Sequence, residues 1–167
     1  MSAFADTSFL FGFYFPREAS ALAMATVQSA TAPLLITPLV VFEFQQAVWF
    51  EVFLRRNNPL HGLSEGQALC GLAAFELDCE QVIWIKAGME WERLFESAQE
   101  LTLKHTARTG CRAFDLLHVA SALVSDVRTF LSFDQAQCRL AQSEGLAVPF
   151  LEAVAPETVR PTRPISF

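Results

Sequence analysis

The chain has 167 residues, of which 52% are hydrophobic and 18% are charged. That length suits a single domain with a substantial core, and that composition excludes an intrinsically disordered protein. The 12 basic and 18 acidic residues give a net charge of −6, which argues against a protein that holds nucleic acid on a broad basic face.

The first half of the chain alternates short apolar stretches with helical patterns. Residues 9–15 fit two structures, because alternating phenylalanines suit a strand while the apolar residues between them suit a buried helix. Thr37-Pro38 predicts a helix start, and Ser64 with Gln67 forms a capping box for another. Strands are predicted at 3–6 and 34–36, and helices at 18–30, 38–56 and 64–77.

The second half continues this alternation. Residues 82–85 suit either a short strand or a turn, and Gly110 interrupts the helical pattern. Helices are predicted at 90–104, 113–124 and 135–143, and strands at 128–133 and 146–151. Strands that alternate with helices indicate a parallel sheet covered on both faces.

No segment has the pattern of a membrane span, an export signal or a zinc site. The longest uncharged run, 19–42, contains two prolines and several hydroxyl side chains, and Asp6 precedes the first basic residue. The four cysteines and three histidines are widely spaced. We therefore expect a soluble, cytoplasmic protein with free, buried thiols, in which any bound metal is held by oxygen atoms.

Four carboxylates occupy positions that secondary structure alone does not explain. Asp6 and Asp134 each end a predicted strand, and Asp115 opens a predicted helix. Glu43 lies on an otherwise apolar helix with no Lys or Arg within one turn. Since burying an unpaired carboxylate is costly, we expect Glu43 to be paired, protonated or bound to a cation.

These four acids are predicted to meet at one edge of the sheet. Ligands of open parallel sheets gather where strands end and helices begin. Hard ions such as Mg²⁺ and Mn²⁺ prefer carboxylate oxygens and can activate water for attack on a phosphate. Each acid alone also has a simpler explanation: Asp6 and Asp134 could be helix caps, and Glu43 could belong to an ordinary ion pair.

The residues around the acids resemble motifs of the PIN-domain ribonucleases. Asp6-Thr7-Ser8, and Thr37-Pro38 followed by Glu43, are similar to the opening of that family. Residues 112–122 resemble the helix that carries its third acid. Residues 129–135, with Ala141 and Gly145-Leu146, resemble its closing strand–helix–strand unit, so that the resemblance spans about residues 3–150.

The resemblance implies a three-layer α/β/α sandwich with a mostly parallel central sheet, in an endoribonuclease that depends on Mg²⁺ or Mn²⁺. It is strongest to VapC-like toxins, which a small antitoxin inhibits and which form homodimers. Residues 1–151 are expected to form the domain, followed by a Pro-rich tail at 152–167. By the same resemblance, the metal would be bound by Asp6, Glu43, Asp115 and Asp134, with Ser8 and Ser132 as hydrogen-bond donors behind them.

Substrate contacts are less well defined by the sequence. Arg112 is the candidate for binding RNA, with Arg17, Arg108 and Arg139 as further possibilities that are also ordinary surface arginines. His118, one helical turn after Asp115, is expected to be a packed histidine, although it could contact substrate or the surroundings of the metal. The phenylalanines and tryptophans are expected to lie mostly in the core.

Two other functions remain open. The chain could be a PIN-fold module that binds protein or RNA without cleaving it. It could also be a phosphoryl-transfer domain with Asp6 as the nucleophile. The second alternative is disfavoured because Lys86 and Lys104, the only lysines, are not well placed after a strand.

Overall fold

A computed structural model of the protein describes residues 2–151, and its centre is a sheet of four parallel strands. The strand order is β3–β2–β1–β4, and helices cover both faces, so that the predicted three-layer α/β/α architecture is confirmed. The strands are β1 (Ala3–Ala5), β2 (Leu34–Ile36), β3 (Trp84–Lys86) and β4 (Thr129–Leu131).

β1 lies between β2 and β4, and its residues are fully enclosed. Phe4 pairs with Leu35 of β2 on one side and with Phe130 of β4 on the other. The Phe4 and Phe130 rings stack with centroids 5.8 Å apart. Because all four strands are parallel, the segments that follow β1, β2 and β4 leave the sheet at the same edge.

Helices follow the strands closely, and the predicted capping residues start several of them. The ambiguous segment 9–15 is helical, because Asp6 caps it by accepting a hydrogen bond from the Phe9 N–H. Thr37 begins the helix predicted at 38–56, and the Ser64–Gln67 capping box begins the helix predicted at 64–77. The helices of the first half are α1 (Thr7–Tyr14), α2 (Ser20–Ser29), α3 (Pro38–Asn57) and α4 (Glu65–Glu80).

In the second half, the predicted helix at 90–104 changes its winding before Gly110. A π-helical segment, Thr102–Thr106, follows α5, and Gly110 then ends the segment with a left-handed φ of 68°. The helices are α5 (Trp91–Leu101), α6 (Ala107–Thr109), α7 (Ala113–Val124) and α8 (Gln135–Ser143). The bounds of α7 and α8 are those predicted from the sequence.

An aromatic cluster fills the space between α1, α4 and the sheet. Trp84 is buried and meets the rings of Phe9 and Phe13 edge-on. Its indole N–H donates to the hydroxyl of Tyr14, which in turn donates to Asp78 of α4 at 2.6 Å. The polar groups of Trp84 and Tyr14 thus have hydrogen-bond partners inside the cluster, and the phenylalanines need none.

Three expectations about the chain need correction or lie outside the described residues. The predicted strand at 146–151 is wrong: only Ala147 bridges to β4, because Pro149 lacks an N–H and Phe150 turns inward to stack on Phe9 and Phe133. Cys111 and Cys138 are buried, but Cys70 is exposed. The Pro-rich tail, 152–167, is not described.

Several large apolar side chains are exposed, contrary to the expectation that the aromatic residues lie mostly inside. Phe42, Trp49, Phe50 and Phe53 lie along the outer face of α3, and Trp91 and Phe95 stack on α5. Among residues 2–151, no helix is both long and apolar enough to cross a membrane. Large apolar rings that are exposed together on one helix face are candidates for contacts with a protein partner.

Two glycines of α4 provide a matched test of this packing. A Cβ at Gly71 would lie 2.3 Å from the buried Phe15 ring, whereas one at Gly66 would meet nothing within 4 Å. We expect Gly71→Ala to lower the free energy of unfolding by about 1–3 kcal/mol through overpacking. Gly66→Ala should be neutral or slightly stabilising. Urea denaturation of both variants measures this, and equal stabilities would contradict the packing described.

Candidate metal centre

The four predicted acids come from four strand ends and helix starts. Asp6 caps α1 directly after β1, and Asp134 caps α8 shortly after β4. Asp115 lies in the first turn of α7, and Glu43 lies in the second turn of α3, which follows β2. The parallel sheet thus directs all four segments toward one edge.

Asp6 is completely buried, and its carboxylate is held by hydrogen bonds on both oxygens. It accepts from the Phe9 N–H at 2.8 Å, from the Ser8 hydroxyl at 2.8 Å and from the Ser132 hydroxyl at 2.7 Å. Burial raises the pKa of Asp6 to about 6, although these hydrogen bonds and the nearby charge of His118 oppose the rise. The hydroxyls of Ser8 and Ser132 thus both contact the Asp6 carboxylate directly.

Ser8 also joins the two strand–helix junctions. Its hydroxyl oxygen accepts hydrogen bonds from the backbone N–H groups of Phe133 at 2.8 Å and Asp134 at 3.2 Å. The segment after β1 is thereby fixed against the segment after β4. As a result, the position of Asp134 depends on that of Asp6.

Glu43 is paired with a histidine from another helix. His118 Nε2 lies 2.6 Å from Glu43 Oε2, and the Thr7 hydroxyl donates to the same oxygen. Burial raises the pKa of Glu43, but the hydrogen bond and charge of His118, together with Thr7, outweigh it and leave the pKa lowered. The His118 side chain is fully buried, as expected for a packed histidine, and it also contacts the candidate centre.

Asp115 and Asp134 are close enough to repel each other. Asp115 Oδ2 accepts from the Arg112 backbone N–H at 2.9 Å, and Asp134 Oδ1 accepts from the N–H groups of Ala136 and Gln137. Burial raises the pKa of Asp115, and the negative charges of Asp134 and Glu43 raise it further, while Arg112 opposes them. The negative charges of Asp134 and Glu43 therefore both act on Asp115.

Within residues 2–151, no three Asp, Glu, His or Cys side chains are grouped closely enough to hold a metal ion by themselves. Mg²⁺ does not need such a group, since it is typically held by one or two carboxylates and keeps several waters. Asp115 and Asp134 repel each other and each keeps acceptor capacity, so a cation between them would relieve their repulsion. Asp6 instead uses its oxygens to accept hydrogen bonds from the protein.

The predicted arginines fall into different environments. Arg112 is exposed beside Asp115, and its side chain forms no ion pair with any residue the structure describes. Arg17 is bound to Glu51 at 2.9 Å and lies over the Phe11 ring, so it is a salt-bridge arginine. Arg108 donates to the backbone of Lys104, and Arg139 is exposed on α8.

Two side chains at this edge were not identified from the sequence. Thr7 was part of the Asp6-Thr7-Ser8 motif, but nothing indicated that it would bind Glu43, 36 residues away. Gln137 is buried between Asp115 and Asp134, and its only sequence signal is its place three residues after a helix cap. Both contacts join distant parts of the chain, which local patterns do not reveal.

The family profile described as the PIN domain matches residues 3–143 of the sequence. The chain belongs to the PIN domain family. The resemblance found in its motifs is therefore confirmed, although none of the curated proteins compared with it is significantly similar in sequence.

Solved structures share the PIN fold at low sequence identity. VapC20 of Mycobacterium tuberculosis, described as a sarcin–ricin loop cleaving toxin, has a TM-score of 0.60 at 18% identity over 87% of this chain and 96% of its own. PAE2754 of Pyrobaculum aerophilum has a TM-score of 0.57 at 14% sequence identity, over 92% of this chain and 91% of its own. FitAcB of Neisseria gonorrhoeae has a TM-score of 0.56 at 14% sequence identity, over 87% of this chain and 95% of its own. At these identities the likeness establishes the fold only.

The burial of Asp6 predicts a pH-dependent stability in the metal-free PIN domain. Its pKa is raised in the folded state, so between about pH 4 and 6 the folded chain retains a proton that the unfolded chain has lost. The contribution of Asp6 to the free energy of unfolding is therefore greatest below its pKa in the unfolded chain, and it is lost as the pH rises to about 6. A shift of about two pKa units corresponds to roughly 3 kcal/mol.

We expect the stability of Asp6→Asn, relative to the wild type, to increase as the pH rises from about 4 to 7, because Asn carries no charge to bury. Urea denaturation of metal-stripped protein across this range measures the difference. Asp126→Asn, at an exposed turn, is the control and should track the wild type. Parallel curves for Asp6→Asn and wild type would show that Asp6 does not titrate in this way.

Proposed function

We propose that this PIN domain is a metal-dependent endoribonuclease that cleaves RNA phosphodiester bonds. One observation carries the proposal: Glu43, Asp115 and Asp134 come from separate parts of the chain and influence one another electrostatically at the edge where Asp6 is buried. A fold that collects mutually repelling carboxylates without a neighbouring Lys or Arg ion pair is suited to a cation. Membership of the family supports nuclease chemistry at that edge.

Asp115 and Asp134 are the residues best placed to hold Mg²⁺ or Mn²⁺, with Glu43 beside them. Such an ion activates water and stabilises the charge that develops on the phosphate and leaving oxygen. His118 Nε2, bonded to Glu43, keeps that carboxylate ionised and oriented. Asp6 supports the centre from behind, where Ser8 and Ser132 fix its orientation.

RNA as the substrate is supported by the likeness to VapC20, a toxin described as cleaving the sarcin–ricin loop. The net charge of −6 means that phosphate contacts must be local. Arg112 meets this requirement, because it is exposed and lies at the N-terminal end of α7 beside Asp115. We infer that it contacts a substrate phosphate close to the cleavage point.

We further propose that the protein is a cytoplasmic toxin that a small antitoxin inhibits, and that it forms homodimers. The exposed aromatic face of α3, formed by Phe42, Trp49, Phe50 and Phe53, offers an apolar surface for a protein partner. The same surface favours the alternative function, in which the domain binds a protein or RNA without cleaving it. Cleavage assays separate the two functions.

Metal-dependent cleavage is the first expected outcome. We expect the purified protein to cleave a mixed RNA pool with Mg²⁺ or Mn²⁺ and not with EDTA. Asp115→Asn should lower the rate by at least about 100-fold, because it removes a charge that holds the ion. Asp126→Asn, an exposed aspartate away from the acids, should cleave as the wild type does. Equal cleavage by all three proteins would attribute the activity to a contaminant.

Growth provides an independent test of the toxin proposal. We expect expression of the wild-type chain to slow growth of a bacterial host, and Asp6→Ala or Asp115→Asn to relieve this effect while accumulating to similar levels. Protein levels are measured by immunoblot alongside the growth curves. If wild type and both variants slow growth equally, the effect comes from the protein load and the toxin proposal is wrong.

A further inference from the structure

Gln137 is buried among the acids, and one of its polar atoms has no partner. Its side chain is only 6% exposed. Its backbone N–H donates to Asp134 Oδ1 at 3.0 Å, and its Nε2 group donates to Asp115 Oδ1 at 3.4 Å. The amide oxygen Oε1 is enclosed and accepts no hydrogen bond from any residue in 2–151.

The orientation of this amide follows from its neighbour. Rotating the group by half a turn would place Oε1 against Asp115 Oδ1, and two oxygens with negative charge would then face each other. With the nitrogen toward Asp115, the oxygen is the amide atom that is left without a partner. An enclosed carbonyl oxygen without a partner lowers stability, and an apolar side chain of similar shape would avoid that loss.

An unpartnered acceptor at this place is satisfied only by a donor or a cation. Asp115 and Asp134, the two carboxylates that contact Gln137, already repel each other. The backbone N–H of Gln137 contacts Asp134 and its side-chain nitrogen contacts Asp115, so the residue lies between the two acids, and a cation beside its amide would also be attracted by their charges. Amide oxygens are normal ligands of hard divalent ions and add no further negative charge to a crowded site.

We propose that Gln137 Oε1 is a neutral oxygen ligand, direct or through one water, of the divalent cation shared by Asp115 and Asp134. This inference rests on the proposed metal-dependent function and adds a protein ligand that none of the sequence motifs identified. It also accounts for a buried glutamine at the third position of α8, where its amide reaches back toward α7.

Mn²⁺ binding by the full chain tests this proposal without any assay of activity. Titrations followed by the electron paramagnetic resonance signal of free Mn²⁺ give the dissociation constant, and thermal unfolding in EDTA gives the metal-free stability. Gln137→Met retains the approximate size of the side chain and removes the acceptor. We expect it to weaken Mn²⁺ binding roughly tenfold, within the range seen when supporting groups of metal sites are removed.

The metal-free stability separates a ligand from a structural contact. A ligand role predicts that Gln137→Met unfolds in EDTA close to the wild-type temperature, because removing the unsatisfied oxygen offsets the loss of the long hydrogen bond from Nε2 to Asp115. Gln142→Met, at an exposed position of the same helix, is the matched control and should change neither quantity. A loss of metal-free stability with unchanged Mn²⁺ affinity would assign Gln137 a structural role and overturn the proposal.

Gln137→Glu keeps the test decisive if the Met variant folds poorly. A carboxylate at this position retains an oxygen ligand, so Mn²⁺ affinity should equal or exceed that of the wild type, while the metal-free protein becomes less stable through added repulsion. Failure of Gln137→Glu to bind Mn²⁺ would overturn the ligand assignment. If the wild type binds no Mn²⁺, both this proposal and the metal-dependent function fail, whereas equal binding by wild type and Gln137→Met rejects this proposal alone.

Discussion

The buried carboxylate of Asp6 holds together the two strand–helix junctions on which the acidic edge is built. Its oxygens accept hydrogen bonds from the Phe9 N–H and from the hydroxyls of Ser8 and Ser132. The Ser8 hydroxyl oxygen in turn accepts hydrogen bonds from the backbone N–H groups of Phe133 and Asp134, just before α8. One buried carboxylate thus fixes β1, α1, β4 and α8 relative to one another. Its burial disfavours the ionised form, which raises the pKa of Asp6.

The remaining acids are placed by the same geometry but are satisfied less completely. Glu43 has a histidine partner, whereas the charge of Asp134 raises the pKa of Asp115, and Gln137 contacts both of these aspartates. A folded chain that accumulates such repulsion is less stable than one without it, unless a cation completes the site. The electrostatics of this edge and the family membership therefore lead to the same chemistry by separate routes.

Local signals in the sequence were sufficient for much of the fold. The bounds of α7 and α8 could be predicted because their starts and periodicity are encoded in neighbouring residues, and the Ser64–Gln67 capping box starts α4 as expected. Residues 9–15 stayed ambiguous because nearly all of them are apolar, which fits the periodicity of a strand and that of a helix equally well. The contacts of Thr7 with Glu43 and of Gln137 with Asp115 were not predicted because they join positions far apart in the chain, which no local pattern encodes. The false strand at 146–151 also has a local cause, since Pro149 cannot donate a hydrogen bond to a neighbouring strand.

Paramagnetic broadening by Mn²⁺ in the amide NMR spectrum tests most directly whether a cation binds at the edge of the sheet where these acids lie. With substoichiometric Mn²⁺, we expect signals from residues 6–8, 114–116 and 133–135 to broaden first, and Asp115→Asn to abolish the effect at the same concentration. Broadening centred instead on the exposed acids Glu92, Glu96 and Glu100 of α5, or broadening unchanged by Asp115→Asn, would contradict a metal centre at the end of the sheet.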